Sequence, residues 1–160
     1  MKKLILIRHA KSNWEFPIRD FDRDITQKGI ENSQKLAKHT LQMIHSSSII
    51  WCSAARRALE TAKIVVEHWN LPITKIEVKN ELYTFDDFKL EQIVKSCPNI
   101  VYNLILFGHN NAITDFVNKF GDIFIDNVPT SGLVSITFDT DDWRTINRGK
   151  IEKIIFPRDI

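Results

Sequence analysis

Two arginines and two histidines draw attention because each stands just past an apolar run. Arg8 and His9 directly follow Leu4-Ile5-Leu6-Ile7, Arg57 follows Ile49-Ile50-Trp51-Cys52 at a short distance, and His109 follows Leu104-Ile105-Leu106-Phe107 across Gly108. Unpaired cations are poor continuations of a buried segment. They fit where the chain leaves an apolar layer and opens into a polar site. Brought together, the four side chains call for an anion. A planar guanidinium holds two oxygens of a tetrahedral dianion at once, which a lysine does not. A neutral imidazole flanked by such cations keeps a lone pair, because nearby positive charge disfavours its protonation. The chemistry that follows is phosphoryl transfer in two steps, with His9 as nucleophile, water as second acceptor and His109 as hydrogen-bond donor to a phosphoryl oxygen.

The elements that must position these residues are legible in order. Leu4 to Ile7 reads as a buried strand, followed by a polar loop from Asn13 to Ile25. Thr26 is placed to cap a helix with Ile30, Ala37, Leu41 and Ile44 on its inner face, and His39 and His45 are expected to face solvent. After Ser46-Ser47-Ser48, Ile49 to Cys52 is a second buried strand, and Ser53 is expected to cap a helix to about Trp69 with Ala58, Ala62, Val65 and Val66 inward. Ile73, Ile76 and Val78 suggest a weaker third strand, then a loop through Glu81 and Tyr83. A helix runs from Asp86 or Asp87 to Pro98, Ile100 to Phe107 is the strongest strand signal, and a helix from about Asn111 to Phe120 is closed by Gly121. Leu133 to Phe138, an Asp-rich turn at Asp139 to Asp142, and Ile151 to Phe156 read as a hairpin. Strands alternating with helices predict an α/β fold, a three-layer α/β/α sandwich whose mostly parallel central sheet ends in an antiparallel C-terminal edge hairpin. Residues 1–160 are expected to form a single domain. In such sheets ligands bind beyond the carboxyl ends of the strands, where Arg8-His9, Arg56-Arg57 and His109 would meet. Arg57 is expected to face the site and Arg56 the surface.

Composition narrows the classes. The 22 basic and 20 acidic residues are interspersed and leave a net charge of only +2, so no nucleic-acid surface is expected. Lys2 to Ile7 is too short to be a signal peptide, and no run approaches membrane-spanning length. Cys52 and Cys97 follow apolar stretches and suit reduced, buried thiols, which places the protein in the cytoplasm. No cofactor is called for. His9, His39, His45, His68 and His109 lack metal-ligand spacing, and Asp139-Thr140-Asp141-Asp142 lacks the glycine and terminal glutamate of a calcium loop. A cysteine phosphatase would need an arginine six residues after Cys52, where Ala58 stands.

Arg8-His9 with Ser12, Arg57-Ala58-Leu59-Glu60-Thr61 and Gly108-His109-Asn110, in this order, resemble the motifs of the histidine phosphatases of the phosphoglycerate-mutase-like superfamily. The resemblance implies a phosphate pocket made of Arg8, His9, Arg57 and His109, with Ser12 and Asn110 as further substrate contacts. The small size, Asp22-Arg23-Asp24-Ile25-Thr26 with Gly29, and Pro129-Thr130-Ser131 before the hairpin are most similar to the compact bacterial phosphohistidine phosphatases. Ala10 stands where many relatives have glycine, and Ala54 where proline is common. Glu15 stands where mutase-type members carry a phosphate-contacting asparagine, which points away from a mutase. The superfamily's proton donor is a carboxylate after the third strand, and Glu81 occupies that place. The expected activity is a metal-independent phosphatase acting through a phosphohistidine enzyme intermediate, with phosphohistidine on a signalling or carrier protein as substrate. A small phosphorylated metabolite is the second substrate class, and a phosphate-binding module without turnover is the alternative from a different class. Specificity is expected in the loops around Trp14 to Asp24 and Tyr83 to Phe88.

Overall fold

The computed structural model describes residues 1–160, and its central strand is β1 (Lys2–Arg8). Successive side chains of a strand point to opposite faces. Leu4 and Leu6 accordingly enter one apolar cluster, Ile5 and Ile7 the other, and all four are buried. A strand covered on both sides needs no polar alternation, which explains the uninterrupted apolar run.

The sheet also contains β2 (Ile49–Cys52), β3 (Ile76–Val78), β4 (Asn103–Gly108), β5 (Leu133–Phe138) and β6 (Lys150–Ile155), in the spatial order β3-β2-β4-β1-β5-β6. Pairing is parallel from β3 to β1 and antiparallel for β1-β5 and β5-β6. Helices α1 (Gln27–Thr40) and α2 (Arg56–His68) pack with Ile5 and Ile7 on one face. Helices α3 (Asp87–Lys95) and α4 (Ala112–Phe120) pack with Leu4 and Leu6 on the other. This is the mostly parallel three-layer sandwich with an antiparallel edge that the sequence predicts. β1 and β4 are neighbours, yet the chain leaves β1 towards α1 on one face and β4 towards α4 on the other. The divergence opens a crevice at their carboxyl ends.

Several local expectations change. The buried face of α1 is Gly29, Ser33, Leu36, Ala37 and Thr40, whereas Ile30, Leu41 and Ile44 are only partly buried. Ser33 and Thr40 can face inward because their hydroxyls bond the Gly29 and Leu36 carbonyls at 2.8 Å each, and the Trp69 indole of the next helix region donates to Thr40. The helix tightens at Leu41–Met43, leaving His45 beyond it. Ile73 lies in a short turn before β3. β4 begins at Asn103, and Ile100 is 84% exposed. The segment before it is occupied otherwise: the Lys2 ammonium and the Trp143 indole both donate to the Val101 carbonyl. Residues 139–149 form a longer connection than a tight turn, with Trp143–Thr145 dropping Trp143 into the core. Gly121 ends α4 in extended backbone, not in a left-handed cap. Glycine fits there because a Cβ would come within 2.7 Å of the Val117 carbonyl.

Candidate active site

The carboxyl end of β1 is gripped by both neighbouring strands. The Arg8 amide donates to Gly132, the His9 amide donates to Gly108, and the Ser131 amide is shared between the Arg8 and His9 carbonyls. Ser131 takes a left-handed φ of 58° to do this. From α2, Thr61 Oγ1 accepts the Ala10 amide at 2.8 Å and donates to the Arg57 carbonyl at 2.7 Å. The neighbouring Glu60 accepts the Ile25 amide. The first turn of α1 lies against the same loop, since a Cβ on Gly29 would be 2.7 Å from the Lys11 carbonyl.

On this frame the crevice is a cleft of about 350 Å³ lined by Arg8, His9, Ser12, Asp20, Arg57 and Asn110, among others. His9 is 7% exposed and Arg57 4%. His9 Nδ1 lies 2.7 Å from the Ala10 carbonyl. A carbonyl only accepts, so Nδ1 carries the proton and Nε2 keeps its lone pair. The imidazole is pushed down to about 4, chiefly by burial and then by the Arg57 and Arg8 charges, with the Ala10 bond and the Asp20 charge opposing. The guanidinium charges act in the expected direction, and burial adds the larger effect. Arg8 donates from Nη1 to the Val128 carbonyl, and its Nε is buried with no protein partner, which fits an anion-holding donor.

His109, 1% exposed, touches two partners. Arg57 Nη2 lies 3.3 Å from Nδ1 and Ser53 Oγ 2.8 Å from Nε2. A guanidinium only donates, so Nδ1 accepts and Nε2–H points to Ser53. Burial, then the charges on His9 and Arg57, push His109 down to about 3. Ser53 is thus not the helix cap it was expected to be. Ala55 occupies the cap position without a side-chain bond, and Ser53 secures the second histidine.

Asp20 is the carboxylate in the cleft, and sequence reasoning missed it. Arg57 donates to its backbone carbonyl at 2.7 Å and to Oδ2 at 3.0 Å, and the Tyr83 hydroxyl donates to the same Oδ2 at 2.6 Å. Burial acts to raise Asp20, but the bonds from Tyr83 and Arg57 and the Arg57 charge hold it below the usual carboxylate range. Nothing in the chain distinguishes Asp20 from Asp22 or Asp24. Glu81 is brought elsewhere: it is exposed in a short turn, Asn80–Leu82, and lines a separate cleft with Trp51, Lys79, Tyr83 and Lys89. Ser12 lines the main cleft and is braced against Ile25. Asn110 reaches the rim, but its amide is engaged by Asn127, Val128 and Thr114. Arg56 lies outward against Glu60.

Cys52 and Cys97 are free and buried, on opposite faces of the sheet. Burial pushes the Cys52 thiol up, the reverse of what a thiolate nucleophile needs. No group of three or more His, Cys, Asp or Glu side chains is arranged to hold a metal ion. No helix is long and apolar enough to cross a membrane.

An α/β/α sandwich with two histidines and two arginines at the carboxyl ends of β1, β2 and β4 defines a class, and the comparisons agree with it. Residues 4–99 match the model of the histidine phosphatase superfamily (branch 1), and the chain belongs to that superfamily. The matched span holds Arg8, His9 and Arg57, while His109 lies beyond it. Among solved structures, the fold is similar to that of the protein histidine phosphatase SixA complexed with tungstate, with a TM-score of 0.82, 21% identity and 98% of each chain covered. A protein of Agrobacterium tumefaciens provisionally named phosphohistidine phosphatase SixA gives 0.81, 22% and 98% of each chain. A mycobacterial glucosyl-3-phosphoglycerate phosphatase gives 0.67 at 13% identity, over 95% of this chain and 97% of that one. At such identities these likenesses speak to the fold.

Proposed function

We propose that the chain, as one histidine phosphatase domain of residues 1–160, is a metal-independent phosphatase that carries the phosphoryl group on His9. The observation that carries this reading is the His9–Ala10 contact, which directs an unprotonated Nε2 into a cleft walled by Arg8 and Arg57. Arg8 and Arg57 hold the equatorial oxygens, where charge accumulates in phosphoryl transfer. His9 Nε2 attacks phosphorus, the leaving group departs, and water then takes the phosphoryl group from His9. The Ser53 hydroxyl can donate or accept. It therefore accommodates the His109 tautomer that offers Nδ1–H to a phosphoryl oxygen once Arg57 turns to the ligand. Ser12 and Asn110 contribute to the rim, Asn110 by bracing the segment at Val128.

Phosphohistidine on a signalling or carrier protein is the substrate favoured here. The cleft opens between the exposed aromatic side chains Trp14 and Phe85, with Phe16 on the first of these loops and Phe88 in the first turn of α3 also exposed. Exposed aromatics rimming a phosphate site suit docking of a macromolecular surface. SixA, described as a protein histidine phosphatase, shares the fold, as does a glucosyl-3-phosphoglycerate phosphatase, which keeps small phosphomonoesters as the second class. The two free, buried thiols suit the reducing cytoplasm, where we place the reaction. The test compares hydrolysis of a phosphohistidine carrier protein with a panel of sugar phosphates. A clear excess in kcat/KM for the carrier protein is expected, and preference for a sugar phosphate would overturn the assignment.

A further inference from the structure

Arg57 is already committed in this structure, and its partner is Asp20. A phosphoryl dianion that takes Arg57 through both terminal nitrogens competes with Asp20, whose Oδ2 sits at 3.0 Å on Nη2 and whose backbone carbonyl sits at 2.7 Å on Nη1. We propose that Asp20 holds Arg57 in place before substrate arrives and, once the phosphoryl group takes over the guanidinium, becomes the proton donor to the leaving atom and then the base for the attacking water. This rests on the phosphatase reading and supplies the acid–base group that Glu81, outside the cleft, does not.

The groups facing Asp20 come from every wall of the site. They are Arg57 from α2, Tyr83 after β3, His109 after β4, His9 after β1, and Arg19 with its partner Asp22 on the same turn, with Arg8 at the end of β1 lining the same cleft. Binding of a dianion removes the Arg57 contact and adds two negative charges, both of which favour protonation of a carboxylate. Asp20 then takes one proton from solvent. In the first step the His9 Nε2 lone pair forms the P–N bond and the bond from phosphorus to the leaving oxygen or nitrogen breaks. The leaving atom keeps that electron pair and receives the Asp20 proton. In the second step water attacks phosphorus and gives a proton to the Asp20 carboxylate, and the P–N electrons return to Nε2. Hydrogen phosphate departs, Arg57 closes again on Asp20, and the proton returns to solvent. Tyr83, donating to Oδ2 throughout, sets the proton affinity of the carboxylate.

The experiment uses Asp20→Asn, Asp20→Glu and Tyr83→Phe, with thermal melts to establish folding. Substrates are an alkyl phosphate, whose leaving group needs a proton, and 4-nitrophenyl phosphate, whose leaving group does not. Asp20→Asn should lower turnover on the alkyl phosphate ~100-fold or more, the scale of general acid–base catalysis, and on the aryl phosphate far less. Asp20→Glu should recover part of the loss. Inorganic phosphate should bind Asp20→Asn at least as tightly as wild type, because a competing carboxylate is gone. Tyr83→Phe should move the alkaline limb of kcat to higher pH. Equal losses on both substrates with weaker phosphate binding would overturn the proposal and leave Asp20 as an Arg57 support. If the wild type hydrolyses neither ester nor phosphohistidine, the phosphatase reading fails and the acid–base role with it. Phosphate titration of Asp20→Asn then decides the competition for Arg57 alone.

Discussion

Ser53 Oγ stands 2.8 Å from His109 Nε2, tying the residue after β2 to the residue after β4 behind Arg57. Both side chains are fully or almost fully buried, so a histidine deprived of this partner has no water to turn to. Ser53→Ala should cost about 1–3 kcal/mol, the penalty for stranding a buried polar group. At roughly 2–4 °C per kcal/mol for a chain of this length, the melting temperature should fall by several degrees. Turnover should fall as well, because His109 loses its fixed orientation. Unchanged melting and turnover would remove Ser53 from the site.

Thr61 makes the corresponding tie from α2 to the residue after His9. Thr61→Val keeps the shape but leaves the buried Ala10 amide without its acceptor. A loss of about 1–3 kcal/mol is expected for that orphaned donor, read from denaturant midpoints. Turnover should fall more than stability alone explains, because Ala10 also supplies the carbonyl that sets the His9 tautomer.

Gly29→Ala sets two effects against each other. Alanine is favoured over glycine in a helix by about 1 kcal/mol. The added Cβ, however, would meet the Lys11 carbonyl at 2.7 Å, and overpacking typically costs about 1–3 kcal/mol. The backbone clash should win, giving a destabilised protein with a displaced Lys11-Ser12 loop. A higher melting temperature would show that the loop yields freely.

The two site histidines also set an acid limit on stability. His9 and His109 are held down to about 4 and about 3, chiefly by burial, whereas the unfolded chain regains the ordinary value near 6.5. Between these values the unfolded state binds more protons, so stability is full above about pH 6.5 and declines as pH falls through about 4. Denaturant midpoints measured from pH 7 to 4.5 should show this slope, and His109→Asn should flatten it. A flat wild-type profile would contradict the buried neutral pair.

The fold was largely legible because its strands are covered on both faces and therefore announce themselves as apolar runs. The four site residues were legible for the complementary reason, since Arg8, His9, Arg57 and His109 are polar just past those runs. What escaped depended on long-range packing. Asp20 sits in a loop crowded with charges, and only the fold chooses it over Asp22 and Asp24 by bringing it to Arg57. Ser53 has the composition of a helix cap, and its use by His109 follows from the adjacency of β2 and β4. The inner face of α1 was legible only in part, at Ala37, because Ser33 and Thr40 beside it bury hydroxyls that their own helix satisfies. Glu81 has the right place in the order of elements, but its turn points it into the neighbouring cleft.

Transfer of the phosphoryl group to His9 can be trapped directly. The protein is mixed with radiolabelled phosphohistidine carrier protein, quenched within milliseconds in base, and the label is mapped by peptide. An acid-labile, base-stable phosphate on His9, absent in His9→Ala together with turnover, is the predicted result. Sustained hydrolysis by His9→Ala, with no label trapped on the wild type, would contradict it.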